Sequence, residues 1–159
     1  MNSIFKLQDV SLDMKYKIAS VFNAEWGVST LYTVDLLEKT WMRTDNDVLL
    51  VMIDYKSGDL IGTIGLDHKF FIPIASHLYV SEKYRKCGYA DVLINELETQ
   101  TDRRIYACCK PEKVAGNLRR GWILAHMLGL SKIMQKHFVP MYKQGCKKKT
   151  TPSMMIVNG

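Results

Sequence analysis

The chain has 159 residues, 47% hydrophobic and 24% charged, with 22 Lys and Arg against 16 Asp and Glu for a formal net charge of +6. Such a length is expected to form one domain (1–159) that buries roughly 68–70% of its unfolded surface without a staple. No run approaches the ~20 apolar residues of a membrane span and MNSIFKLQDVSLDMK meets charge too early for a signal peptide, so no membrane association and a cytoplasmic location are expected.

In chain order, SIFKLQD (3–9) alternates apolar and polar residues, as a half-buried strand does. Ser11 is placed to cap a helix over LDMKYKIASVFNAEW, with Leu12, Tyr16, Ala19 and Phe22 along one face. Thr33 opens a second helix, VDLLEKTWM, with Asp35 in its first turn. VLLVMIDY (48–55) is an apolar, partly β-branched strand, and the turn KSGD joins it to LIGTIGLDHKF as a hairpin. Pro73 breaks the chain before a further strand, IASHLYV (74–80). Ala90, Leu93, Ile94 and Leu97 then mark one face of a helix, and RRIYACCK reads as a strand ended by Pro111. Residues 113–128 read as a helix with Trp122, Leu124, Ala125 and Leu128 apolar and Gly129 as its stop. HFVPMYK and SMMIVNG read as a late hairpin joined by QGCKKKTTP, with Pro140 suited to an edge or a bulge. The order β-α-α-β-β-β-α-β-α-β-β predicts a mixed α/β (α+β) layer architecture.

The four cysteines, Cys87, Cys108, Cys109 and Cys146, form no CxxC pair and read as reduced thiols. Cys108 and Cys109 are strand neighbours and face opposite ways. The four histidines, His68, His77, His126 and His137, show no HExxH spacing, so no metal is expected. The positive balance favours phosphate-bearing or other acidic partners, and nucleic acid stays among them through the run Lys147, Lys148 and Lys149, although no nucleic-acid motif is present.

The stretch YVSEKYRKCGYA (79–90) carries the most chemistry. A strand leads into it and a helix leaves it. A helix N-terminus presents orphan N–H groups and about half a positive charge, which suits a phosphate. Gly88 lets the backbone approach an anion closely, Ala90 nearly does, and Arg85 and Lys86 add cationic donors. A plain tight turn with solvated Arg85 and Lys86 fits the same residues. A dinucleotide-binding fold fits less well, because its glycine fingerprint follows the first strand, and no Walker A lysine motif is present.

Placed after Val80 and opening a helix, Arg85-x-x-Gly88-x-Ala90 resembles the Arg/Gln-x-x-Gly-x-Gly/Ala signature of the GNAT superfamily of acetyl-CoA-dependent N-acyltransferases. The order of elements resembles that family along nearly the whole chain, and Leu128-Gly129-Leu130 is similar to the Leu-Gly-Phe that ends its fourth helix. The resemblance implies a mostly antiparallel sheet flanked by helices and acetyl-CoA (CoA) as cofactor. It also implies direct transfer of an acetyl group to a primary amine on a small molecule or protein. Oligomeric state stays open, a dimer among the options.

By that resemblance Arg85, Lys86, Cys87, Gly88, Tyr89 and Ala90 hold the pyrophosphate, and Leu78, Tyr79 and Val80 line the pantetheine arm. The arm lies in a slot made where this strand splays from RRIYACCK. The N–H of Leu78 is the candidate donor to the thioester oxygen. Asn117 lies one residue from the family's usual Asn. Ser76 and Ile74 stand where many members carry Glu or His, and Ala125 where many carry a Tyr. His77 is turned away by strand alternation unless a bulge intervenes. Asp67, His68 and Tyr142 are replacement candidates for proton transfer, each equally readable as a loop or edge residue. Loss of turnover in a CoA-binding regulatory protein is therefore the alternative. The basic surface favours an acidic or anion-bearing acceptor over a polycation.

Overall fold

The computed structural model describes residues 2–28, 30–68, 71–125, 138–147 and 156–157. Its strands are β1 (Asn2–Lys6), β2 (Val48–Asp54), β3 (Leu60–Asp67), β4 (Ile74–Val80), β5 (Arg104–Cys109), β6 (Ile123–Leu124), β7 (Val139–Gln144) and β8 (Ile156–Val157). Its α-helices are α1 (Leu12–Trp26), α2 (Val34–Trp41), α3 (Tyr89–Glu98) and α4 (Val114–Arg119). The strands form one sheet in the order β6-β7-β5-β4-β3-β2-β1-β8. Every pairing is antiparallel except β4 with β5.

Both faces of the sheet are covered, which explains why VLLVMI in β2 reads as a continuous apolar run. Val48, Leu50 and Met52 pack with Leu93, Ile94 and Leu97 of α3 on one face. Leu49 and Val51 pack with Ile18 and Phe22 of α1 and Leu37 and Trp41 of α2 on the other. The side chain of Ser11 accepts the N–H of Met14 and that of Thr33 accepts the N–H of Leu36, so both expected caps are made.

Several elements differ from the sequence reading. The buried face of α1 is Met14, Ile18, Ala19 and Phe22, whereas Leu12 and Tyr16 are exposed. Both sets have helical spacing, and the packing partner decides between them. The helix expected over 113–128 stops at Arg119, because Gly121 adopts φ 89° and the chain turns into β6. β8 pairs with β1 at the far edge of the sheet, so it makes no hairpin with β7. β7 lies between β6 and β5 rather than at an edge. Pro140 is tolerated there because its carbonyl accepts the N–H of Ala125 at 3.0 Å, a bond that needs no donor from proline. His126, Leu128-Gly129-Leu130, His137, Lys148 and Lys149 lie outside the described residues. The N–H of Lys147 is donated to Asp102 at 2.7 Å.

β3 keeps two glycines where larger residues would collide. A Cβ on Gly62 would meet the carbonyl oxygen of Tyr79, and one on Gly65 would lie 2.8 Å from Nε1 of Trp41. Trp41 is only 2% exposed and cannot withdraw. Gly65→Ala is therefore expected to destabilise the fold by about 1–3 kcal/mol through overpacking. Urea denaturation checks this, and an unchanged midpoint would contradict the placement of the indole.

Candidate functional site

β4 is the strand on which the site is built. It touches β5 at one register pair, Ile74 opposite Tyr106, and the two strands then part. Its pairing with β3 shifts between Thr63 opposite Tyr79 and Gly65 opposite Ser76. β4 thus carries one extra residue there, a β-bulge. His77 sits in it with φ 54°, and Thr63 Oγ1 holds the kink by donating to the His77 carbonyl at 2.9 Å.

Two cavities follow β4. A slot of about 190 Å³ opens between β4 and β5, lined by Ala75, Ser76, His77, Leu78, Cys108 and Asn117 among others. None of its described lining residues is charged. A second cavity, of about 350 Å³, lies beyond the strand and is lined by Tyr79, Val80, Arg85, Lys86, Gly88 and Ala90 among others. Leu78 lines both, so the slot and the outer cavity are neighbours along one strand.

The outer cavity combines backbone features that suit an anion with a lining of mixed charge, in which Glu25 lies 3.9 Å from Arg85 and Asp91 pairs with Arg120. Gly88 is the N-cap of α3 with φ 83° and makes no side-chain cap, which leaves the first-turn N–H groups to a ligand. Lys86 is also left-handed, at φ 62°. Turns of this kind expose successive backbone N–H groups as an anion-binding concavity. A Cβ on Gly88 would meet nothing within 4 Å, so conformation and the space for a ligand, not packing, ask for glycine.

The loop is braced from several sides. Arg85 Nε donates to the carbonyl of Val80 at 2.9 Å, tying the loop back to the strand end. Tyr84 donates its hydroxyl to Asp54 at 3.1 Å and Asp59 at 3.2 Å, at the β2–β3 turn. Asn2 donates to the Tyr89 hydroxyl at 3.0 Å. Arg120, which the sequence reading did not single out, reaches the same cavity from the end of α4 and pairs with Asp91 at 2.6 Å. Its signal was faint: one cation beside a helix-ending glycine.

The other candidates separate. Asn117 lines the slot. Because Gly121 ends the helix, Asn117 and not Ala125 stands four residues before the helix-ending glycine. Cys108 also lines the slot; it is exposed on the surface, and partial desolvation together with Cys109 pushes its thiol pKa up, which lowers its thiolate fraction. Cys87 lies exposed in the loop and donates to the Arg85 carbonyl. Tyr142 lines neither cavity; its ring stacks under the Arg104 guanidinium at 4.5 Å and beside Tyr106. His68 donates its backbone N–H to the buried Asp47 at 2.9 Å, and its Nδ1 lies 3.3 Å from the same oxygen. Asp67 ends β3 near enough to His77 to act on its charge.

The bulge turns the His77 ring into a cage of Phe22, Trp26, Tyr32 and Trp41, with ring centroids 5.0, 5.0, 5.7 and 4.9 Å away. Nε2 lies 2.9 Å from the Tyr32 hydroxyl and Nδ1 lies 2.9 Å from Ser76 Oγ. Burial lowers the imidazole pKa to about 4, against a smaller opposing pull from Asp67.

Residues 13–117 match the model of the acetyltransferase (GNAT) family. A comparison with curated protein sequences finds no match. Among solved structures, the chain is similar to a GNAT-family acetyltransferase from Bacillus cereus ATCC 10987, with 14% identity over 92% of this chain and 99% of that one and a TM-score of 0.67. An aminoglycoside 6'-N-acetyltransferase complexed with coenzyme A shares 15% identity over 92% and 99% of the two chains, with a TM-score of 0.65. The spermidine/spermine N-acetyltransferase SpeG from Vibrio cholerae shares 15% identity over 91% and 95%, with a TM-score of 0.65.

The caged histidine has a measurable consequence. Folded, it gains its charge only near pH 4, whereas the unfolded imidazole does so near 6.5. Between those values the unfolded chain binds the extra proton, so stability from this group is complete above 6.5 and is lost as pH falls toward 4, by about 3 kcal/mol. Urea midpoints of the wild type and His77→Gln, measured from pH 7 to 4, are expected to converge as the pH drops. Parallel curves would show that His77 is not held neutral.

Proposed function

The chain belongs to the GNAT acetyltransferase family, and on that premise we propose that it transfers an acetyl group from acetyl-CoA directly to an amine of its acceptor. The observation that carries this reading is the continuity along β4 of a neutral slot and an anion-ready loop, with Leu78 lining both.

The residues fit the cofactor. Backbone N–H groups from Lys86 to Ala90 would hold the pyrophosphate, with Arg85 and Arg120 as flanking cations. The β4 edge released by the splay would pair with the amides of the pantetheine arm, and Asn117 would reach the arm from α4. Bound there, acyl-CoA supplies a thioester whose carbonyl carbon accepts the amine nitrogen as its C–S bond breaks. The N–H of Leu78 would stabilise charge arriving on the acyl oxygen. The amine must arrive neutral and gives up one proton to water, while the thiolate takes one up. His77 is no store for that proton, since its pKa near 4 lies far below that of an ammonium. Cys108, its thiol pKa raised, favours direct transfer over an acyl-cysteine route.

Incubation of the protein with acetyl-CoA and panels of amino acids, aminoglycosides, polyamines and basic peptides is expected to release free thiol with at least one class. The uncharged lining of the slot also suits a second reading, a CoA-binding regulatory protein without turnover; tight calorimetric CoA binding with no thiol release would decide for it.

Gly88→Asp places a carboxylate at the anion site and is expected to weaken CoA binding at least tenfold, an electrostatic cost of about 1.4 kcal/mol or more. Gly88→Asn carries a similar backbone cost without the charge and is expected to lose much less. Calorimetry on both variants, beside their melting curves, checks this. Equal affinities for Gly88→Asp and the wild type would remove the loop from the site.

A further inference from the structure

Ser76 is joined to Tyr32 through the two nitrogens of His77, at 2.9 Å on each side. The proton positions along this chain follow from its chemistry. Burial raises the pKa of the Tyr32 phenol, and burial keeps the imidazole neutral despite the negative charge of Asp67. A phenol is a better donor than acceptor, so Tyr32 donates to Nε2 and the imidazole proton sits on Nδ1. Nδ1 then donates to Ser76 Oγ. Ser76 thus accepts from behind and keeps its own proton to give.

The far end of the chain is anchored. Asn23 of α1 donates Nδ2–H to the Tyr32 carbonyl at 2.9 Å and accepts the Tyr32 N–H at 2.6 Å. At the near end, Ser76 lines the slot together with Leu78, across the bulge.

Resting on the reading of the slot as the acyl-CoA site, we propose that the Ser76 hydroxyl is a second hydrogen-bond donor to the acyl oxygen, beside the N–H of Leu78, and that His77 and Tyr32 are the positioning residues that aim it. The family reading of the strand assigns this position to a carboxylate or imidazole; here a neutral donor occupies it and serves the oxygen rather than the amine.

The test reads the carbonyl directly. Full-length protein is saturated with acetyl-CoA carrying ¹³C at the thioester carbon, and its isotope-edited infrared band is recorded. Loss of a donor moves that band to higher frequency. Ser76→Ala is expected to raise it, Tyr32→Phe to raise it partway, and the double variant to match Ser76→Ala, while Ser76→Thr restores it. With an acceptor that turns over, Ser76→Ala is expected to lower kcat by about 10- to 100-fold with KM for acetyl-CoA nearly unchanged. An unmoved band in saturated Ser76→Ala overturns the proposal and leaves the CoA site standing. If the wild type shows no bound band at all, the reading of the slot itself has failed, and this assignment falls with it. Should Ser76→Ala not fold, Tyr32→Phe is read alone, and an unmoved band there is equally decisive against the chain.

Discussion

β4 and β5 meet at a single residue pair and then part, and the rest of the molecule is arranged around the hydrogen bonds they do not make. No residue of β4 is buried and Leu78 is 41% exposed, so the backbone groups on this edge are open to water or to a ligand. β4 keeps its antiparallel partner β3 on one edge and offers the other. An extended ligand with amides of its own could pair with that edge as a strand would. The bulge at His77 lies beside the opening and shifts which residues of β4 stand opposite β3.

The loop beyond β4 depends on elements far away in sequence. Asn2 of the first strand steadies Tyr89, and the β2–β3 turn holds Tyr84 through Asp54 and Asp59. A left-handed loop has few contacts of its own to define it, and these tyrosines supply them. The cost of positive φ at Lys86 and His77, of the order of 1 kcal/mol or more each, falls at the two ends of the same path. The third described non-glycine residue with positive φ, Phe71, lies before β4 and lines neither cavity.

Much of this was legible in the residues. IASHLYV is β4 from Ile74 to Val80, and the glycine, cation and helix-start pattern after it forms the wall of the outer cavity. Local signals of this kind survive because caps, turns and strand lengths are decided within a few residues. What was not legible depended on distant partners. The face that α1 buries could not be chosen among two helical stripes without knowing what lies beneath it. The end of α4 was hidden because apolar residues continue past Gly121 into β6, where they serve a strand. That β8 crosses to β1 is a long-range pairing with no local mark. The role of His77 was conditional on a bulge, and a bulge shows only in the register of two strands.

The most informative departure from the family pattern is the neutrality of the slot. A carboxylate there would help an amine lose its proton, but it would also hold the amine as an ammonium. The described lining of this slot carries no charge at all. On the proposed reading, desolvation would act on an amine brought against the thioester in the same sense as on His77: it penalises the cationic form and lowers the pKa. The imidazole shows the direction of that effect, its pKa lowered to about 4 by burial in a cage of Phe22, Trp26, Tyr32 and Trp41 that lies outside the slot lining. An amine so placed would be pushed toward the free base, the form that attacks. On that reading the environment would take over part of the work of a general base, and what the reaction would still need from side chains is help for the oxygen on which charge gathers. On that reading the Ser76 hydroxyl and the Leu78 N–H, from two residues that line the slot, would supply that kind of help without placing a charge where the described lining has none.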